Sequence, residues 1–81
     1  MTSLFTLATT KLTIIDVRAS SEFIKSHVVD SFNIPFTEIK DRKYELPPRY
    51  VVFFVIVGKE ELCTAQNWFL KQPFDIEGFL I

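Results

Sequence analysis

Val51-Val-Phe-Phe-Val-Ile-Val57, closed by Gly58, is the stretch on which the fold turns. Seven unbroken apolar residues, four of them Val, favour a strand. At a sheet edge they would invite aggregation, so a central strand is expected. The run is far short of the roughly 20 residues a membrane-crossing helix needs. Beyond the Gly58 turn, Leu62, Ala65 and Phe69 recur at helical spacing within Glu60–Lys71, ahead of Pro73, which predicts a helix on the sheet. Phe74-Asp-Ile-Glu-Gly-Phe-Leu-Ile81 then reads as a last strand.

On the N-terminal side, Leu46-Pro47-Pro48 forces an extended, polyproline-like link. Thr37–Arg42 is polar, with Phe36 and Ile39 spaced to face inward, and suits one or two helical turns lying on the sheet. Ser31-Phe-Asn-Ile34 is a short strand closed by Pro35, which cannot donate to a ladder. Glu22–His27 is a short helix, with Ser20 and Ser21 offering capping hydroxyls and Glu22 favouring the positive end of the dipole. Leu12-Thr-Ile-Ile-Asp-Val17 is rich in β-branched residues and reads as a strand buried largely on both faces. Strands alternating with helical crossovers define an open α/β fold with a parallel sheet of about four to five short strands flanked by helices.

Composition bounds the function. An 81-residue chain holds one domain at most, and 48% hydrophobic residues with nine Phe and one Trp suffice for a packed core. Nine basic against ten acidic side chains give a net charge of −1, which argues against nucleic acid as a partner. One cysteine excludes an internal disulfide, and one histidine beside it leaves too few ligands for a zinc site. No metal and no cofactor are expected. A reducing intracellular compartment such as the cytoplasm fits best. The acid-free, Ser- and Thr-rich residues 1–11, read as an N-terminal extension, keep a mitochondrial address as the alternative, though they hold no Arg and no amphipathic stripe.

Ile15-Asp-Val-Arg18, Glu22-Phe23, His27-Val28 and Asn33-Ile-Pro35, in that order and spacing, resemble the first half of the rhodanese and Cdc25-type domain family. Glu45-Leu-Pro-Pro-Arg49 ahead of the apolar strand is similar to the connection leading to that family's active-site strand. The resemblance spans roughly residues 12–70 and implies a rhodanese-like fold over residues 12–81. Family members continue with a closing helix after the last strand, so the domain is expected to be C-terminally truncated, a piece of a longer protein. Ser26 stands where the family has Gly before His, and Asp30-Ser31 where Gly-Ala is common, both at turns that tolerate polar residues.

The resemblance also implies a cysteine at the end of the active-site strand, followed by a loop whose amides and basic side chain cradle an anion. Here that position falls on Val55, Ile56 or Val57, none of which carries a nucleophile. Glu60 and Glu61 occupy the first turn of the following helix, where they satisfy its dipole and repel an anion, leaving Lys59 as the local cation. Val55, Ile56, Val57, Gly58, Lys59 and Glu60 are therefore read as a vacated active-site loop, and the Cys-x5-Arg loop of tyrosine-phosphatase chemistry is missing too. Asp16 and Arg18 are read as a hydrogen-bonded anchor at a strand end. His27 is a turn residue with no nucleophile to activate, and Glu22, Phe23, Asn33 and Pro35 are structural signature positions. Cys63 is expected to be a small, inert, partly buried helix residue, at least six positions from the family's cysteine; the alternative makes it a displaced persulfide carrier. These readings lead to a non-catalytic interaction or regulatory module with a protein partner, no membrane contact, and self-association through an apolar sheet face left uncovered. The alternative is a thiosulfate-type sulfurtransferase using Cys63.

Overall fold

The computed structural model describes residues 12–81. Its elements in chain order are β1 (Ile14–Asp16), α1 (Ser20–Lys25), β2 (Phe32–Asn33), two single 3-10 turns at Phe36–Glu38 and Lys43–Glu45, β3 (Val52–Ile56), a third 3-10 turn at Lys59–Glu61, α2 (Leu62–Leu70) and β4 (Asp75–Leu80). The four strands form one sheet in the order β2-β1-β3-β4, and every neighbouring pair is parallel. This is the expected open α/β architecture, with the Val-rich strand in an interior position. From β1 the chain steps to one side of the sheet and from β3 to the other. Right-handed crossovers therefore put α1 and α2 on opposite faces.

Strand alternation sorts the side chains. Ile15, Val17, Phe53, Val55 and Val57 point to the face covered by α2 and the 36–46 segment, and with Ile34, Ile39, Leu46, Ala65 and Phe69 they form one buried cluster. Phe69 and Ala65 are both fully buried, as the helical stripe predicts. Trp68 packs edge-on against Phe36 and Phe69, with ring centroids 6.3 and 4.9 Å apart. In β4, Phe53 pairs with Ile76 and Phe54 with Gly78, so Glu77 is an extra residue. The resulting bulge lets Ile76 and Phe79, three positions apart, both pack against the same cluster.

The second face is thinner. α1 buries none of its residues. Val52 and Leu80 stay exposed there, and Phe54 is half-buried over Gly78, where a Cβ would meet its ring at 3.7 Å. β1 itself is buried largely on both faces, as expected, with Ile15 and Asp16 pointing to opposite sides, while Leu12 ahead of it is 65% exposed and Ile14 half-buried. One helix boundary differs from expectation. Ser20 and Ser21 lie inside α1, whose N-cap is Ala19 with no side-chain capping bond. The one or two helical turns expected at Thr37–Arg42 are present as a single 3-10 turn at Phe36–Glu38, with Arg42 N–H donating to the Glu38 carbonyl at 3.0 Å, and a second 3-10 turn follows at Lys43–Glu45. Proline, β-branched and aromatic residues around it keep each helical run too short to propagate.

Candidate functional site

The parallel strands end at one edge of the sheet, where open α/β folds build their sites. Three connections meet there: Val17–Ala19 after β1, Ile34–Phe36 after β2, and Val57–Glu61 after β3. Strand-like bonding runs past the strand ends, with Val17 N–H to the Ile56 carbonyl at 2.8 Å, Ile34 N–H to that of Asp16 at 3.0 Å and Phe36 N–H to that of Val17 at 2.9 Å. These bonds draw the three connections around a cavity of about 210 Å³ lined by Val17, Ser20, Pro35, Phe36, Glu38 and Glu61 among others.

Around this cavity the loop after β3 is closed down. Gly58 starts the 3-10 turn, and Glu61 N–H bonds the Gly58 carbonyl at 3.0 Å. The Glu61 carboxylate folds back over Gly58: a Cβ there would lie 3.2 Å from Oε1, so glycine is the residue that permits the approach. Glu38, the other carboxylate on the rim, is held by Arg42 at 3.0 Å. No Lys, Arg or His is among the described residues lining the cavity, Lys59 included.

Val55 and Val57 are fully buried and Ile56 is 9% exposed, with Val55 flanked by Ile15 and Phe79 in the sheet. Lys59 and Glu60 are exposed. Cys63 is exposed too, which corrects its expected partial burial, and it lines neither this cavity nor the second one. The inward side of α2 belongs to Leu62, Ala65 and Phe69, one or two positions out of phase with Cys63.

On the other face, Asp16 is fully buried. Its Oδ1 accepts the Arg18 backbone N–H at 2.9 Å and Nε at 3.0 Å, while Oδ2 accepts Nη2 at 2.8 Å. The same Nη2 donates to the Ser26 carbonyl at 2.7 Å, tying the end of α1 to β1. Hydrogen bonds to Asp16 push the Arg18 guanidinium further above its ordinary range, reinforced by the charges of Asp16 and Glu22 and opposed by burial. Asn33 Nδ2 donates to the carbonyls of Asp16 and Arg18 at 2.8 and 3.0 Å, clamping β2 to β1.

The His27 ring stacks on Phe23 with centroids 3.9 Å apart, and its Nδ1 lies 2.7 Å from the Phe23 carbonyl, which requires the proton on Nδ1. Glu22 is exposed and pairs with Lys25 at 3.7 Å, and Pro35 is buried beside Ile34. Arg18, His27, Val28, Ile56 and Leu80 line a second cavity of about 340 Å³. Among the described residues there is no group of three His, Cys, Asp or Glu that could hold a metal ion. No helix among them is long and apolar enough to cross a membrane.

The family model of the rhodanese-like domain matches residues 6–79. The chain belongs to the rhodanese-like domain family. No curated protein and no solved structure matches it. In this rhodanese-like domain the structure brings Glu61, folded over Gly58, together with Val17, Pro35 and Phe36 at the strand ends, and leaves Cys63 outside that group. Sequence reasoning passed over Glu38 and Arg42. Their i,i+4 spacing, followed by Glu45 at i,i+3 from Arg42, was the available signal.

Proposed function

We propose that this rhodanese-like domain performs neither sulfur transfer nor phosphate-ester hydrolysis at its strand-end loop, and that it serves as a protein-interaction or regulatory module. The observation that carries the reading is the identity and burial of Val55, Ile56 and Val57, the three residues on which the loop cysteine of an active member would fall. Sulfur transfer needs a thiolate that attacks the sulfane sulfur of thiosulfate, forms a persulfide and releases sulfite. A buried valine or isoleucine side chain supplies no such electron pair.

Charge points the same way. Thiosulfate and phosphate esters are anions and need open amides and a cation. Here Glu61 covers the Gly58 turn and Glu38 stands on the rim, so the cleft favours a neutral or positively charged group. We infer a reducing compartment, in which the exposed Cys63 stays a free thiol.

A second reading rests on that same exposure, since an accessible thiol has room to carry a displaced persulfide. Thiosulfate:cyanide turnover by the full chain and by Cys63→Ser, with intact-mass measurement after thiosulfate treatment, separates the two. No turnover and no added sulfur atom are expected. Turnover that disappears with Cys63→Ser overturns the non-catalytic reading and makes Cys63 the nucleophile.

A further inference from the structure

The link from the second 3-10 turn to β3 reads Pro47-Pro48-Arg49-Tyr50. Leu46, just before it, holds φ −73° and ψ 155°, polyproline II values. Pro47 enforces that conformation on Leu46 and fixes its own φ in the same range. Leu46 is buried, anchoring the start of the link in the core, while Pro48, Arg49 and Tyr50 are exposed. The Val51 N–H donates to the Pro48 carbonyl at 2.9 Å, closing a turn with Arg49 and Tyr50 at its centre. The link lies at the start of β3, the opposite end of the sheet from the Gly58–Glu61 loop.

The fold gives Tyr50 little to do. Its side chain is a large apolar surface with one polar tip, and it is 81% exposed. Such rings, when they are not in the core, are enriched at binding surfaces.

We propose that Pro47–Tyr50 is a docking motif for a proline-recognising module whose groove is lined by aromatic side chains, of the WW class. The ring-fixed φ of Pro47 and Pro48 and the Pro48–Val51 turn hold the motif in one arrangement before it binds, so little conformational freedom is lost on docking. The adjacent prolines offer flat faces to paired aromatic rings, and an aromatic two positions further on reaches a neighbouring pocket with its hydroxyl at the wet rim. The four prolines are Pro35, Pro47, Pro48 and Pro73, none three apart from another, so the Pro-x-x-Pro spacing read by SH3 grooves is not met. The motif stands apart from the strand-end loop, and the proposal holds whether or not that loop is silent.

Calorimetric titration of the full chain with an isolated WW domain of the class that reads Pro-Pro-x-Tyr tests the proposal, with an SH3 domain as comparison. Saturable one-to-one binding to the WW domain and none to the SH3 domain are expected. Tyr50→Ala and Pro48→Ala should each weaken binding by about tenfold or more, and Tyr44→Ala, at an equally exposed tyrosine outside the motif, by less than about twofold. Tyr50→Gln gives a second reading of the same position, and thermal melts equal to the parent show that the exposed substitutions leave the fold intact. Failure of the parent chain to bind the WW domain, preference for the SH3 domain, or undiminished binding by both Tyr50 variants overturns the proposal. So does binding by a peptide of residues 44–53 when the folded chain does not bind, because the link is then not presented.

Discussion

Asp16 is a fully buried carboxylate that makes sense only through its partners: three Arg18 donors and, through Arg18, the carbonyl that ends α1. Removing one member of such a pair strands the other, and the cost is the uncompensated charge more than the lost contact. Asp16→Ala should therefore destabilise the domain by about 3 kcal/mol in urea unfolding, the low end of the buried-pair range because Arg18 keeps some access to water. A change under about 0.5 kcal/mol, the scale of ordinary surface substitutions, would refute the anchor. Asp30 behaves oppositely. Its φ of 68° lies in the left-handed region, at the turn where the resemblance places Gly. Asp30→Gly should raise stability by about 0.5 kcal/mol, the left-handed cost relieved less the added freedom of the unfolded chain, whereas Asp30→Val should lower it. Equal unfolding midpoints for all three would count against strain at this turn. Asp16 with Arg18 was legible in the sequence because both partners lie two residues apart. The roles of Asn33 and the Ser26 carbonyl were not, because their contacts exist only once β2 and α1 have folded back onto β1.

The two helices differ in what holds them, and their stabilities should differ accordingly. α2 has nine residues and buries Ala65 and Phe69, whereas α1 has six residues and no buried side chain. Hydrogen exchange should show the Ser26 amide, bonded to the Glu22 carbonyl at 3.2 Å, opening far more readily than the amide of buried Phe69 within α2. Comparable protection at the two sites would refute the division into a docked and a loosely held helix. The 3-10 pair depends instead on charge. Arg42 donates Nε and Nη2 to the two Glu45 oxygens, each at 2.9 Å, and Nη1 to Glu38 at 3.0 Å. The hydrogen bonds from Arg42 hold the Glu45 carboxyl below its ordinary value. A folded-state pKa below the unfolded one makes the contribution complete above the unfolded pKa and removes it as pH falls through the folded one. Arg42→Ala should thus cost stability at neutral pH and little in strong acid or high salt, read as converging unfolding midpoints. The existence and order of these elements were readable from periodicity. That the helical turns of the 36–45 stretch would be single 3-10 turns was not, because Phe36 and Ile39 satisfy either geometry.

At the scale of the whole molecule, one face of the sheet carries the core. The run Val51–Val57 announced a strand apolar on both sides, but hydropathy does not reveal how well each side is covered: Phe53, Val55 and Val57 are fully buried, whereas on the other face only Ile56 is buried, Phe54 is half-buried and Val52 remains exposed. The candidate site was legible only as the identity of its loop residues. That Glu61 would fold over Gly58, with Glu38 on the same rim, depends on where the connections after β2 and β3 come together. The asymmetry has a measurable consequence. A chain of this length has a total stability of about 4–12 kcal/mol, so the face that holds the packing must supply nearly all of it. Phe69 is fully buried, edge-to-face with Phe53 and Phe79 at 6.4 and 6.0 Å, and Phe69→Ala should cost about 3–5 kcal/mol, enough to leave a marginal or unfolded chain. Ile24 on α1 is 77% exposed, and Ile24→Ala should stay within about 0.5 kcal/mol. Phe54→Ala should fall between them, because its ring loses contact over Gly78 on a face already half open to water. That ranking in chemical denaturation is the expected outcome. If Ile24→Ala proved as costly as Phe69→Ala, α1 would have to be buried against something in solution, and the stability of the domain would rest on both faces of the sheet.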